Sequence, residues 1–198
     1  MKLLVATHNP GKMRELAELL APLEAQVIFP GELSLRLDVA EDGATYAENA
    51  RKKARAYARA ANLLTLADDS GLEVDALAGA PGLHSARYVA GSDAERVNAL
   101  LGHLAGVAWE QRTARFRCVV AIESANGVHD TTEGICEGFI GFEPAGAGGF
   151  GYDPVFYLPQ YGCTMAQLPP QTKNQISHRA RAIQAALPIL ERLKAQRG

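Results

Sequence analysis

The chain has little cysteine, no excess of either charge and no long apolar run, and each shortage removes a class of function. Cys118, Cys136 and Cys163 are odd in number and show no C-x-x-C spacing, which sets aside a disulfide framework and a zinc site. They read as small apolar side chains in a reducing compartment. Twenty Lys and Arg stand against 22 Asp and Glu, a net charge of −2. A protein whose main task is to hold duplex nucleic acid needs a basic face, so no nucleic-acid partner is expected. A small anion is still admissible, because a local pocket can be positive within a near-neutral protein. No apolar stretch approaches the ~20 residues of a membrane helix. The opening MKLLVATHNPGK has too short an apolar stretch for a signal peptide. No membrane partner and a cytoplasmic location are therefore expected.

What is there is globular. A hydrophobic share of 47% with 21% charged residues argues against disorder. The 198 residues suit one domain, 1–198, with room for two lobes. Short apolar runs at residues 2–7, 26–29 and 63–67 read as strands. Helical periodicity covers residues 12–20, where Met13, Leu16, Leu19 and Leu20 share a face. A second helix, 46–61, follows the Thr45/Glu48 capping-box spacing, and a third, ending near Leu104, follows Ser92/Glu95. Residues 113–123 alternate as a half-buried strand, Asn126-Gly127 signals a hairpin, and 128–137 returns. A short strand is expected at 155–157 and a last helix over 177–194, kinked at Pro188. Strands and helices alternating in the first third suggest parallel βαβ units, to which the hairpin adds antiparallel strands. The expected fold is α/β: a mixed sheet with helices on both faces and a cleft.

Four segments carry polar residues in patterns suited to chemistry. Thr7-His8-Asn9-Pro10-Gly11-Lys12 joins a strand to a helix, where free N–H groups, the helix dipole and a lysine suit a phosphate chain; it is not a Walker A loop. Asp68-Asp69-Ser70-Gly71 is expected at a strand's C-terminal end. Two adjacent carboxylates are costly to ionise side by side without a cation, and Mg²⁺ suits them; turn formation explains the same residues equally well. Glu41 and Asp42 supply further acids. Gly148-Gly149-Phe150-Gly151-Tyr152-Asp153-Pro154 places an aromatic and an acid among glycines, as a loop over a flat ring would; a plain glycine-rich connection is the simpler reading. Lys173-Asn174-Gln175-Ile176-Ser177-His178-Arg179 offers cations and donors around a helix start, with Ser177 as N-cap. His8, His84, His103 and His129 lack ligand spacing and read as surface or loop residues, and Ser70 lies in no nucleophile elbow.

The ordered set of ATHNPGKMRELAELL (6–20), ADDSGLEVDALAGAPGLHSARY (67–88), EPAGAGGFGYDPVF (143–156) and KNQISHRARA (173–182) resembles the inosine triphosphate pyrophosphatase family, and spans nearly the whole chain. The resemblance implies an elongated, two-lobed mixed α/β fold around a central cleft, usually homodimeric. It implies Mg²⁺-dependent hydrolysis of non-standard purine nucleoside triphosphates (ITP, dITP, XTP) to the monophosphate and pyrophosphate, clearing them before incorporation into DNA and RNA. At matching positions it implies that Thr7, His8, Asn9, Pro10, Gly11 and Lys12 hold phosphates. Asp69 would be the catalytic acid and a metal ligand together with Glu41. Ser70, Phe150, Gly151, Tyr152, Asp153, Lys173, His178 and Arg179 would contact substrate. Glu41-Asp42-Gly43 departs from the two glutamates many relatives carry there, so Asp42 stands as the alternative metal ligand. A nucleotide sensor without catalysis would need the phosphate loop but not the acids; a phosphatase would release orthophosphate instead.

Overall fold

A computed structural model describes residues 1–196. Among the described residues seven strands form one mixed sheet: β1 (Lys2–Val5), β2 (Gln26–Ile28), β3 (Leu64–Val74), β4 (Thr113–Glu123), β5 (His129–Ile140), β6 (Phe156–Leu158) and β7 (Cys163–Thr164). Their order is β2-β1-β3-β4-β5-β6-β7. β1 runs parallel to β2 and β3, whereas β6 is antiparallel to β5 and β7. The flanking helices are α1 (Pro10–Leu20), α2 (Tyr46–Ala61), α3 (Asp93–His103), α4 (Pro170–Ile176) and α5 (His178–Ala195). The chain divides into two compact units, and β3, β4 and β5 each contribute to both.

The first unit comprises Met1–Asp69, Cys118–Gly134 and the described residues from Arg179 onward. Asn9 caps α1, its Oδ1 accepting from Lys12 N at 3.0 Å, and Pro10 fills the first helical position, where its missing N–H costs nothing. Leu16, Leu19 and Leu20 then pack with Leu3, Val5, Leu64, Leu66, Cys118, Val120 and Ile122, joined by Ala180, Ile183, Ala186 and Leu190 of α5. Each buried leucine contributes roughly 1.5–3 kcal/mol. The alternate strand residues Leu4, Val119 and Ala121 are buried too, so both sheet faces are covered here. α2 occupies the expected residues, but only half of the expected capping box forms. Thr45 accepts from Glu48 N, while the Glu48 carboxylate reaches one residue further back, to Ala44 N.

The second unit comprises Ser70–Arg117 and Ile135–His178. Its core gathers Leu72, Val74, Phe116, Ile140, Tyr152, Phe156 and Met165, with Val97 and Leu100 of α3. Here both halves of the Ser92/Glu95 capping box are made.

Several expectations need correction. β3 continues past Ala67 to Val74, so Asp68-Asp69-Ser70-Gly71 lies within a strand and not at its end. The alternating Leu72 and Val74 carry the strand onward, and the two acids find partners in place. The hairpin forms where Asn126-Gly127 signals it, with Gly127 at a positive φ (93°) and Ser124 N–H donating to Val128 O. The last helix starts at His178, within one residue of its expected start, and the extended Ser177 stands at its N-cap position. What the sequence reading missed is α4, which Ser177 closes, a helix hidden by Pro169-Pro170, of which Pro170 takes the first turn. α5 carries Pro188 in its interior.

Candidate functional site

The polar residues of the first unit collect where β1 gives way to α1, where β3 carries its two acids, and on the facing side of α2. After β1, Asn9 N–H donates to Thr7 Oγ1 (3.2 Å) and His8 Nε2 lies 2.9 Å from the buried Tyr57 hydroxyl. Lys12, in the first turn of α1, reaches Asp68 Oδ2 at 2.9 Å. Arg179 Nε approaches the same oxygen at 3.3 Å, and its Nη1 pairs with Glu15. Asp68 and Arg179 are 1% and 2% exposed, so this is a buried ionic anchor between β3 and α5. Burial disfavours the Asp68 carboxylate, but Lys12, Arg179 and Lys53 outweigh it and hold its pKa well below the ordinary range. Burial likewise opposes the Arg179 charge, and Asp68 and Glu15 more than restore it. Cys118, next to this carboxylate, has its thiol pushed up to about 12, chiefly by burial.

Asp69 behaves oppositely to its neighbour. It accepts from Asn49 Nδ2 at 3.0 Å, yet burial raises its pKa, Glu41 adds to the rise, and the Asn49 bond with Lys53 and Lys12 offsets it only in part. Lys53 donates to Asp68 O (3.0 Å) and pairs with Glu41. Its burial lowers the ammonium pKa, but Asp68, Glu41 and Asp69 reverse the direction and raise it. Asp42 turns away: its side chain is 72% exposed and binds Lys52 at 2.6 Å. Of the two acids open in the sequence, Glu41 is the one that joins the Lys53–Asp69 group.

These residues fit Mg²⁺. No set of three or more His, Cys, Asp or Glu side chains among the described residues could hold a metal alone. Mg²⁺ asks for less, one or two carboxylates with water and substrate phosphates completing its shell. Glu41, close enough to help raise the Asp69 pKa, offers that pair together with Asp69.

The second unit holds the other expected residues. Asp153 Oδ2 accepts from Phe150 N (2.9 Å) and from Lys173 Nζ (2.5 Å), and Lys173 Nζ lies 5.1 Å from the Phe150 ring centroid. Gly151 N–H donates to Asp93 Oδ2 at 2.8 Å. Tyr152 is a core residue, 4% exposed, with its hydroxyl donating to Ser85 O at 2.9 Å; burial pushes that hydroxyl up to about 12. His178, also buried, stacks on Phe116 at 4.7 Å and 14°. Ser70 is half-buried in β3.

Thr7, His8, Asn9, Pro10, Gly11, Lys12, Glu41, Asp69 and Arg179 therefore belong to the first unit. Ser70, Phe150, Gly151, Tyr152, Asp153, Lys173 and His178 belong to the second. Asn49, Lys53, Glu15, Ser85 and Asp93 escaped the sequence reading. Asn49 and Lys53 carried a usable signal: they stand four apart on α2, and Asn49 interrupts an otherwise apolar buried stripe of Tyr46, Ala50, Ala54 and Tyr57. Such a side chain needs a polar partner.

Gly149 is tied to this arrangement. Its φ is +70°, and a Cβ there would collide with Asp153 Oδ2 and lie 3.0 Å from Lys173 Nζ. Gly149→Ala is expected to cost about 2–3 kcal/mol by urea unfolding, from left-handed strain plus a disturbed buried ion pair. A cost below about 0.5 kcal/mol would show that the loop accommodates a side chain.

A model of the Ham1 family matches residues 3–189. The chain belongs to the Ham1 family. It is 54% identical over 195 residues to a dITP/XTP pyrophosphatase of Desulforamulus reducens, covering 98% of this chain and 97% of that one. It is 50% identical over 184 residues to a dITP/XTP pyrophosphatase of Geobacillus kaustophilus, covering 92% and 90%. A solved HAM1 protein from Coxiella burnetii superposes with a TM-score of 0.86 at 42% identity, covering 96% of this chain and 98% of that one. The mixed sheet with flanking helices expected from the sequence is thus the fold of Ham1 proteins.

Proposed function

We propose that this Ham1-family protein hydrolyses ITP, dITP and XTP to the nucleoside monophosphate and pyrophosphate, with Mg²⁺, as one domain over 1–198. The observation that carries the reading is the asymmetric pair on β3: Asp68 locked as an ion by Lys12 and Arg179, Asp69 held as a weaker acid beside Glu41. A nucleotide sensor has no need of a carboxylate kept basic next to a second one.

Phosphoryl transfer depends on positioning and charge neutralisation. Lys12, the Thr7–Lys12 turn and the dipole of α1 neutralise the polyphosphate, and Lys53 adds a second cation from α2. Glu41 and Asp69 would hold Mg²⁺, which would supply positive charge to offset that of the phosphates. Asp69 takes a proton from the attacking water. The water oxygen bonds to the α-phosphorus, the bond from that phosphorus to the bridging oxygen breaks, and pyrophosphate leaves. Ser70 is assigned a substrate contact, and Phe150, Gly151, Tyr152, Asp153 and Lys173 the base and ribose contacts. Hypoxanthine and xanthine carry a 6-keto acceptor where adenine has an amino donor, and donors on His178 or Arg179 favour the former. An unmatched buried donor costs enough to reject the wrong base. A homodimer in the cytoplasm, without nucleic-acid or membrane partners, completes the proposal. No helix among the described residues is long and apolar enough to cross a membrane.

Product analysis tests the reaction. IMP and pyrophosphate from ITP, little turnover of ATP or GTP, and loss of activity in EDTA are expected. Formation of IDP and orthophosphate would move the attack to the γ-phosphorus. Tight ITP binding without turnover would identify a sensor.

A further inference from the structure

The Phe150–Asp153 segment is fixed at several points inside the second unit, and one anchor comes from a residue outside every motif. Asp93, the first residue of α3, accepts from Gly151 N–H through Oδ2 (2.8 Å) and from Arg96 Nη2 through Oδ1 (2.6 Å). Arg96 Nη1 in turn donates to Gly91 O at 2.6 Å, so the carboxylate is braced on the side away from the loop. Tyr152 packs into the core, but Phe150 and Gly151 are only half-buried. Asp93, Val97 and Asn98 line an open pocket of about 240 Å³ together with Gly148, Gly149 and Gly151. Gly151 sits at φ +62° with open space where a Cβ would lie. Beside that pocket, a directed charge-assisted hydrogen bond ties down the loop at Gly151.

We propose that Asp93 is a positioning residue for purine recognition: by accepting the Gly151 amide, it fixes the backbone of the Phe150–Asp153 segment at the spacing a planar base requires. This rests on the reading of that segment as the base contact. Phe150 shares the tie through Asp153 Oδ2, which accepts the Phe150 amide and the Lys173 ammonium together. Asp93 thus acts at one end of a four-residue clamp and Lys173 at the other. The affected quantity is ground-state hold on the base, hence KM more than kcat.

The test compares Asp93→Ala with Asp93→Asn. Both remove the charge that favours the α3 N-terminus and the Arg96 ion pair. Only Ala removes the acceptor, since the carboxamide oxygen still takes the Gly151 N–H. Asp93→Ala is expected to raise KM for ITP about tenfold with kcat within about threefold. Asp93→Asn should restore KM to within about twofold of wild type, and the Gly151 amide should lose hydrogen-exchange protection in Ala but not in Asn. Equal defects in both variants would assign the effect to helix charge and overturn the proposal. So would an unchanged KM in Asp93→Ala while Phe150→Ala raises it. An unchanged KM in Phe150→Ala would instead remove the base-contact reading, and the affinity role of Asp93 with it, while the amide measurement still reports whether the tie exists.

Discussion

Asp69→Asn is expected to lower kcat for ITP by about 10²- to 10⁴-fold, the usual worth of a positioned proton acceptor, while leaving the protein as stable as before or more so. The first half follows from the proposed role: the amide can neither accept a proton from water nor supply a full charge to Mg²⁺. The second half follows from the direction of the Asp69 pKa. Burial raises it, and the Asn49 bond with the Lys53 and Lys12 charges recovers only part of the rise. A carboxyl that binds its proton more tightly folded than unfolded is destabilising once ionised, so stability is lost as pH rises through the unfolded value near 4 and up to the raised folded one. The substitution removes that ionisation but keeps an oxygen for Asn49 Nδ2. Metal-free Asp69→Asn in EDTA should therefore melt at or above the wild-type Tm at pH 7. Turnover within threefold of wild type would end the assignment of Asp69. A sharp drop in Tm would mean that its charge serves the fold.

Much of the fold was legible because local signals and tertiary outcome agree. α2 and β4 occupy the residues that a Thr45 cap and strict alternation over 113–123 marked. The failures come from context. Asp68-Asp69-Ser70-Gly71 has turn composition and yet continues β3, because Lys12 and Arg179 pair with Asp68 Oδ2 and Asn49 binds Asp69, where a turn would have used backbone amides. α4 was masked by two prolines, of which the second is harmless at the first helical position. β7 is a two-residue pairing with β6 that periodicity cannot register.

Motif order names candidate residues but not their partnerships. Every expected position could be named from motif order, but spacing along the chain does not say that Arg179 closes onto Asp68 and Glu15, 111 and 164 residues away. Nor does it say that Glu41 and not Asp42 joins Lys53. Buried polar side chains with no local partner, such as Asn49 on its apolar stripe, are the sequence signal that such long-range bonds must exist.

The neighbouring acid should respond in the opposite sense. Asp68→Ala removes a carboxylate that is 1% exposed and leaves Lys12 and the buried Arg179 guanidinium converging on empty space. Breaking a buried pair from one side costs about 3–5 kcal/mol. Glu15 still partners Arg179, so the low end, about 3 kcal/mol in urea unfolding at pH 7, is expected. The pH dependence carries its own sign. The folded Asp68 pKa lies far below the unfolded value, so its contribution is complete above about pH 4 and is lost as pH falls toward the folded pKa. The gap between wild type and Asp68→Ala should stay level from pH 5 to 8 and narrow in stronger acid. Pairing Asp68→Ala with Arg179→Met should recover part of the loss, because the uncompensated cation goes with it. A cost under about 1 kcal/mol, or a gap that widens on acidification, would overturn the anchor. Two consecutive carboxylates then separate cleanly: one variant inactive and stable, the other unstable over the pH range in which its ion pair exists.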